Sequence, residues 1–287
     1  MDNELTALTC AAPAKLNLFL HVVGRRGDGY HLLQTLFRFI DLSDTLRFIL
    51  REDGGVHRTS SLDGVPEDQD LCVRAARLLQ KECGCPLGVD IAVEKRIPMG
   101  GGLGGGSSDA ATTLLALNKL WKLGLTRERL MQLGLQLGAD VPVFIFGENA
   151  FAEGVGEQLQ AYPQPDAWFV VLFPPVHVPT AQIFARPELT RDTISLKIRD
   201  LSTRRLQNDL QPVVCKLYPE VERHLAWLGQ FAPVTVAGPM MTGSGACVFA
   251  GFGDEAGARA VLMQLPKGMK GIVARGLQRH PLRDFCA

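Results

Sequence analysis

The residues whose types and spacing could do chemistry fall in three groups. Lys15 and Asn17 stand two apart in Pro13-Ala14-Lys15-Leu16-Asn17, a spacing that puts both side chains on one face of a strand. Asp140 sits in Gly138-Ala139-Asp140-Val141-Pro142, beside a proline. Between them runs Pro98-Met99-Gly100-Gly101-Gly102-Leu103-Gly104-Gly105-Gly106-Ser107-Ser108-Asp109, where glycines surround one leucine. Each group has a plain structural reading. Two polar residues on a strand face are usually solvated. A turn carboxylate commonly caps its own backbone. The functional alternative for Asp140 is a carboxylate held rigidly at the edge of a cleft.

The glycine run carries the strongest signal. Glycine adopts positive φ without strain and lets a ligand approach the backbone closely. A helical pattern follows at once, with Ala110, Ala111, Leu114, Leu115, Leu117, Leu120 and Trp121 as its apolar face and Ser107 or Ser108 as its expected N-cap. A glycine loop feeding a helix N-terminus presents unpaired N–H groups at the positive end of a dipole, which is an anion site. A nucleotide phosphate chain fits it. The loop is not of the Walker A type, because Gly106 is followed by Ser107 and not by lysine. Gly100, Gly102 and Gly105 match the dinucleotide spacing, but the next acid after Asp109 is Glu128, and no ribose ligand stands where that fingerprint needs one. A mobile hinge is the remaining reading. It ranks below phosphate binding, because hinges seldom run straight into a capped, buried helix.

These groups need elements to hold them. Residues 10–23 read as a strand, with Leu16, Leu18, Leu20 and Val22 on one face and Lys15, Asn17, Phe19 and His21 on the other. Gly24 to His31 is a turn-rich loop whose final Tyr30-His31 pair, read alone, is structural. Gln34–Ile40 and Thr45–Leu50 are expected as two strands around a turn at Asp41-Leu42-Ser43-Asp44. Leu71–Lys81 is expected as a helix and Gly88–Lys95 as a strand entering the glycine loop. A second helix should start at Thr126, carry Leu130, Met131, Leu133 and Leu137 inward, and stop at Gly138. Val143–Phe146 then reads as a strand. In the second half, Trp168–Leu172 reads as a strand and Thr180–Phe184 opens a helix. Residues 186–205 read as a polar surface excursion. A continuous helix follows across Pro212–Leu228. Strands are expected at Val234–Ala237 and Ala246–Gly251 around the turn Thr242-Gly243-Ser244-Gly245. A helix at Glu255–Leu265 and a strand at Gly271–Gly276 end the pattern.

Composition bounds the rest. The chain has 287 residues, enough for one large domain or two ordinary ones, and 46% are apolar, enough for a core. Formal net charge is zero, which points away from nucleic acid or another extended polyanion as partner and leaves room for a local basic pocket. No apolar run has membrane-spanning length, and Met1–Thr9 lacks a signal-peptide pattern, so no membrane partner and a cytoplasmic location are expected. The seven cysteines are scattered, and the close pair Cys83 and Cys85 has no second pair or nearby histidine to complete a metal site. Reduced thiols are expected.

Pro13–Asn17, Pro98–Ser108 and Thr242–Gly245, taken together and in this order, resemble the GHMP superfamily, named for galactokinase, homoserine kinase, mevalonate kinase and phosphomevalonate kinase. The resemblance implies an α+β fold of two domains: a ribosomal S5 domain 2-like, ATP-binding domain over residues 1–155, and a ferredoxin-like substrate domain over 156–287, with the active site between them. Residues 24–31, 100–108, 138–142 and 151–157 are similar to one bacterial branch. Its reaction moves the ATP γ-phosphoryl group onto the tertiary 2-hydroxyl of a cytidine-diphosphate-linked methylerythritol, a step of the non-mevalonate route to isoprenoid precursors.

By this resemblance Lys15 and Asp140 are catalytic. ATP is held by Lys95, Pro98, Met99, Gly100, Gly101, Gly102, Leu103, Gly104, Gly105, Gly106, Ser107 and Ser108. The acceptor is held by Asn17 on its erythritol part, by Tyr30 and Phe184 stacked on either side of the cytosine, by His31 at the base edge and by Thr180. Mg²⁺ accompanies ATP, with Ser108 as its candidate protein ligand. Two positions depart from the branch. Asp109 stands where relatives often carry asparagine, and Asp68-Gln69-Asp70-Leu71 stands where they present Asn-Leu to the adenine. Asp70 can accept from an adenine amino group but cannot also donate. Two other functions fit the same scaffold: a kinase for another small alcohol, such as mevalonate or homoserine, and a non-catalytic nucleotide-binding regulator. Tyr30, His31 and Phe184 argue against the first. Retention of both Lys15 and Asp140 argues against the second.

Overall fold

A computed structural model describes residues 6–62, 64–201 and 206–286. The end of the 186–205 excursion, residues 202–205, lies outside the described residues. The framework is a mixed sheet of ten strands. Two long strands carry its first half, β1 (Ala7–Arg25) and β2 (His31–Arg51), paired antiparallel along most of their length. β4 (Gly88–Glu94) adds to β2, and the short β3 (Val56–Arg58) adds to β4 in parallel. β5 (Ala150–Glu153) pairs with β2 and with β6 (Gln158–Ala161). The second half contributes β7 (Trp168–Leu172), β8 (Ala237–Met241), β9 (Val248–Phe252) and β10 (Gly271–Leu277). β10 joins the halves, pairing with β7 and, through Gly276 and Leu277, with Ile40 and Phe39 of β2.

Helices cover each half. α1 (Leu71–Cys83), α2 (Gly105–Leu120), α3 (Arg127–Leu137) and α4 (Val141–Phe146) close one apolar core with β1, β2 and β4. α5 (Thr180–Ala185), α6 (Gln211–Leu217), α7 (Pro219–Gly229) and α8 (Glu255–Leu262) close a second with β7, β8 and β9, into which Leu20 and Val22 of β1 also reach. β1 therefore lies between two cores. From Ala12 to Val22 every residue except Leu18 is buried, so the solvated face open to Lys15 and Asn17 does not exist. The simple two-residue alternation also fails, because the pairing register slips between Asn17 and Leu20.

Four further expectations change. β2 runs unbroken through Asp41–Asp44. Two extra residues there bulge against Pro13 and Ala14, and the strand bends without turning. Val143–Phe146 is helical, because a four-residue apolar run reads as either state and Pro142 suits the first turn of a helix. Residues 211–229 form two helices broken at Tyr218. The strand before the 242–245 turn sits three residues later than expected at its start. Among the described residues no helix is long and apolar enough to cross a membrane.

Candidate active site

The glycine loop is pinned from both halves of the molecule. The Lys15 amide donates to the Leu103 carbonyl at 3.0 Å, and the Cys247 amide donates to the Gly101 carbonyl at 3.1 Å. Gly102 lies between them at φ 74°. Its carbonyl accepts from Lys15 Nζ at 3.1 Å and from Thr242 Oγ1 at 3.3 Å. α2 begins at Gly105 behind Gly104, also at positive φ, and Ser108 falls inside the first turn. The expected serine cap is therefore absent. Ser108 is fully buried and donates its hydroxyl to the Pro13 carbonyl at 2.7 Å. With no side chain capping it, the N-terminus of α2 keeps its N–H groups for a ligand.

Lys15 is 2% exposed and uses its ammonium on three oxygens. Besides Gly102 these are Asn17 Oδ1 at 2.5 Å and Asp140 Oδ2 at 3.2 Å. Asn17 is oriented in turn by donation to Thr35 Oγ1 at 2.8 Å, and its amide donates to Thr242 Oγ1 at 2.9 Å. Asp140 arrives from the other side, between α3 and α4, with its side chain 37% exposed. Asp140 and Lys15, distant in sequence, thus meet beneath the glycine loop.

A cavity of about 620 Å³ opens above this pair. Lys15, Asn17, Lys95, the whole run from Pro98 to Ser107, Asp140, Thr180 and Phe184 line it. Ser108 does not, and neither do Tyr30 and His31. Tyr30 is 64% exposed at its loop tip. The ring that faces Phe184 is His31, with centroids 4.8 Å apart and planes tilted by 32°. The structure therefore brings Phe184 against His31. Thr180 Oγ1 lies 2.6 Å from Ser244 Oγ. The sequence reading missed His177, which lines the cavity beside Gly100, where a methyl group on that glycine would fall 2.3 Å from Nδ1. Nothing in the local sequence marks it, since its place depends on the loop from the other half.

Lys95 has a second duty. Its ammonium lies between Asp44, with which it makes a very short contact, and Asp109 at 2.7 Å. Asp44 also accepts from the Ile97 amide at 2.8 Å, tying β2 to the start of the glycine loop. Burial works against the Lys95 charge, but Asp109 and Asp44 outweigh it and raise its pKa. One cation cannot balance two buried carboxylates, and Asp109 carries the excess. Burial pushes its pKa up to about 7, Asp44 adds to the rise, and Lys95 only moderates it. Asp109 Oδ1 has no hydrogen-bond partner. Asp70, the other departure, caps α1 by accepting from the Cys72 amide at 2.7 Å and pairs with Arg58 at 2.8 Å.

Asp109 predicts a pH dependence of stability. Unfolded, the group titrates near ~4; folded, it holds its proton to about 7. Its stabilising proton is fully present below the unfolded value and is lost as pH rises through the folded one. Asp109→Asn should therefore raise Tm above the parent at pH 8, and the gain should shrink at pH 5. Thermal melts at the two values test this. A variant less stable than the parent at pH 8 would mean that the Lys95 attraction outweighs the cost of burying Asp109.

Comparisons with known proteins give the family. The GHMP kinases N terminal domain family matches residues 70–148, and the GHMP kinases C terminal family matches residues 193–271. A 4-diphosphocytidyl-2-C-methyl-D-erythritol kinase of Nitrosospira multiformis is 64% identical over 97% of this chain and 94% of its own length. This chain belongs to the GHMP kinase family. Within the GHMP kinases, the enzyme of the same name from Thiobacillus denitrificans is 65% identical over 96% of this chain and 97% of its own. A crystal structure of 4-(cytidine 5'-diphospho)-2C-methyl-D-erythritol kinase superposes with a TM-score of 0.79 at 35% identity, covering 94% of this chain and 99% of that one. A mevalonate kinase structure superposes at 0.68 with 16% identity, covering 94% of this chain and 99% of that one, and shares the fold. The two-domain α+β GHMP fold expected from the motifs is the fold observed.

Proposed function

We propose that this GHMP kinase transfers the γ-phosphoryl group of ATP to the 2-hydroxyl of 4-diphosphocytidyl-2-C-methyl-D-erythritol, in the route to isoprenoid precursors. The observation that carries the reading is the meeting of Lys15 and Asp140 at 3.2 Å under a glycine loop that feeds a helix N-terminus. Phosphoryl transfer asks the protein for position and for charge stabilisation. The α2 N-terminus and the loop N–H groups hold the ATP phosphates. Lys15, itself held by Asn17 and Gly102, steadies Asp140 and faces the transferring group. Asp140 orients the acceptor hydroxyl and takes its proton. Lys95 and the run from Pro98 to Ser107 supply the nucleotide side of the cavity, while Asn17, Thr180 and Phe184 supply the acceptor side.

Mg²⁺ fits as an ion that arrives on the nucleotide. Among the described residues no group of three or more His, Cys, Asp or Glu side chains could hold a metal ion, and Mg²⁺ in kinases is bound mainly by phosphates with one or two protein groups. Asp140 and Ser107 line the cavity. Ser108, fully buried and outside the cavity lining, is the poorer candidate. When bound, the ion neutralises charge on the phosphates.

ADP release measured with a panel of alcohols tests the reading. Turnover with the cytidine-diphosphate acceptor and not with mevalonate or homoserine is expected. Turnover of those alcohols instead would reassign the substrate, and ATP binding with no turnover of any acceptor would make the protein a regulator. Phe184 gives a second arm. If the base stacks on it, Phe184→Ala should weaken acceptor binding by about 1–3 kcal/mol, the range for a base on an aromatic ring, while KM for ATP barely moves. Normal acceptor binding by a folded Phe184→Ala protein would remove Phe184 from the site.

A further inference from the structure

Arg191 lies in the segment between α5 and α6, and its guanidinium reaches four acceptors. Nη2 donates to the carbonyls of Phe184 at 2.9 Å and Arg186 at 2.7 Å. Nη1 donates to the Leu189 carbonyl at 2.9 Å. These three bonds fix the C-terminal end of α5 and the turn after it, and so fix the backbone that carries Phe184. The fourth bond crosses to the start of β2, where Nε donates to His31 Nε2 at 3.1 Å. The His31 ring in turn faces Phe184 at 4.8 Å. One guanidinium therefore holds both Phe184, which lines the acceptor end of the cavity, and His31, which packs against it.

The direction of the fourth bond has a chemical consequence. A guanidinium has donors and no acceptor. The His31 nitrogen that receives its N–H must therefore present a lone pair. In neutral imidazole the proton then sits on Nδ1. A second proton on Nε2 would point at the Arg191 N–H and at its charge. Burial, then Arg191, then Arg25 hold His31 below its ordinary pKa, in keeping with a neutral ring. Among the described residues no protein acceptor takes the Nδ1 proton.

We propose that Arg191 is a positioning residue that locks His31 as the Nδ1–H tautomer, so that His31 offers the acceptor's base a donor and selects cytosine over uracil. The proposal rests on the reading that the acceptor carries a cytidine diphosphate. Cytosine N3 is a lone-pair acceptor, whereas uracil carries hydrogen there. A donor meeting N3 pairs with cytosine and faces an N–H in uracil, leaving two donors opposed. The other tautomer would present an acceptor and reverse the preference. Sites that read a base edge with a fixed polar group discriminate strongly, because the wrong partner leaves that group unpaired.

Two measurements test it. Long-range ¹H–¹⁵N NMR of histidine-labelled protein reads the tautomer directly, with the His31 signals assigned by their loss in His31→Asn. The expected result is a protonated Nδ1 and a bare Nε2 in the wild type, and a shift toward the Nε2–H form in Arg191→Met. The ratio of kcat/KM for the cytidine acceptor to that for its uridine analogue should fall by about tenfold or more in Arg191→Met, equivalent to roughly 1.4 kcal/mol. KM should carry most of the change, with KM for ATP unchanged. A wild-type His31 protonated on Nε2 overturns the proposal, and that result needs no variant to fold. A folded Arg191→Met protein with unchanged tautomer or unchanged ratio also overturns it. If the wild type fails to turn over the cytidine acceptor at all, the substrate reading fails, while the tautomer measurement still reports on Arg191.

Discussion

Asp140→Asn should lower kcat on the order of 10²-fold or more, as expected on removing a positioned general base, while ATP binding and Tm stay close to the parent values. The substitution keeps the size and shape of the side chain and removes its charge and its basic lone pair. Its structural cost is small. The Asp140 side chain is 37% exposed, and its contact in the structure is with Lys15. Lys15 keeps Asn17 and the Gly102 carbonyl as partners. The turn itself is fixed by backbone, with the Val141 amide donating to the Gly138 carbonyl at 3.1 Å and Pro142 in the first turn of α4. The chemical cost is large. In a loose phosphoryl transfer the acceptor oxygen must be in line and must shed its proton as the new bond forms. A carboxamide can hold the hydroxyl but cannot take that proton. Single-turnover rates on the purified variant, with calorimetry for ATP, separate the two costs. Near-normal turnover would remove Asp140 from the chemistry, and a collapsed Tm would make it a structural residue.

Much of this site was legible in the sequence because its parts are local. A glycine run before a long apolar helix announces itself, and α2 forms where the pattern puts it. The Thr126 cap of α3 is likewise visible in the chain, and its hydroxyl accepts from the Arg129 amide. What failed had a tertiary cause. Asp41–Asp44 has turn composition, yet Asp44 is wholly buried, because its carboxylate serves the Lys95 ammonium and the backbone at Ile97. Ser107 and Ser108 have cap chemistry, yet the helix starts earlier because Gly104 adopts positive φ and Pro13 takes the Ser108 hydroxyl. Val143–Phe146 is too short for periodicity to decide its state. The packing of His31 on Phe184, held by an arginine 160 residues away, has no mark in the local sequence. Side chains that meet only through the fold leave no local pattern to read.

Gly102→Val should abolish high-affinity ATP binding, lowering affinity on the order of 10²-fold or more, while the acceptor still binds through Phe184. Two separate costs fall on this position. Gly102 holds φ at 74°, where a β-branched residue is strained by about 1–3 kcal/mol. An added Cβ would also lie 2.2 Å from the Thr242 carbonyl oxygen and 3.1 Å from the Gly245 amide nitrogen. Those neighbours are backbone atoms of the 242–245 turn and cannot swing aside as a side chain would. The two loops must part, and the Gly102 carbonyl then leaves both Lys15 Nζ and Thr242 Oγ1. The phosphate cradle opens, and the cation beneath it loses one of its three oxygens. Each 1.4 kcal/mol is a factor of ten in binding, so strain and clash together reach the expected loss. Calorimetry with ATP, and separately with the cytidine-diphosphate acceptor, reads the two effects apart. ATP binding at parental strength in a folded Gly102→Val protein would mean that the nucleotide phosphates lie elsewhere than on this loop.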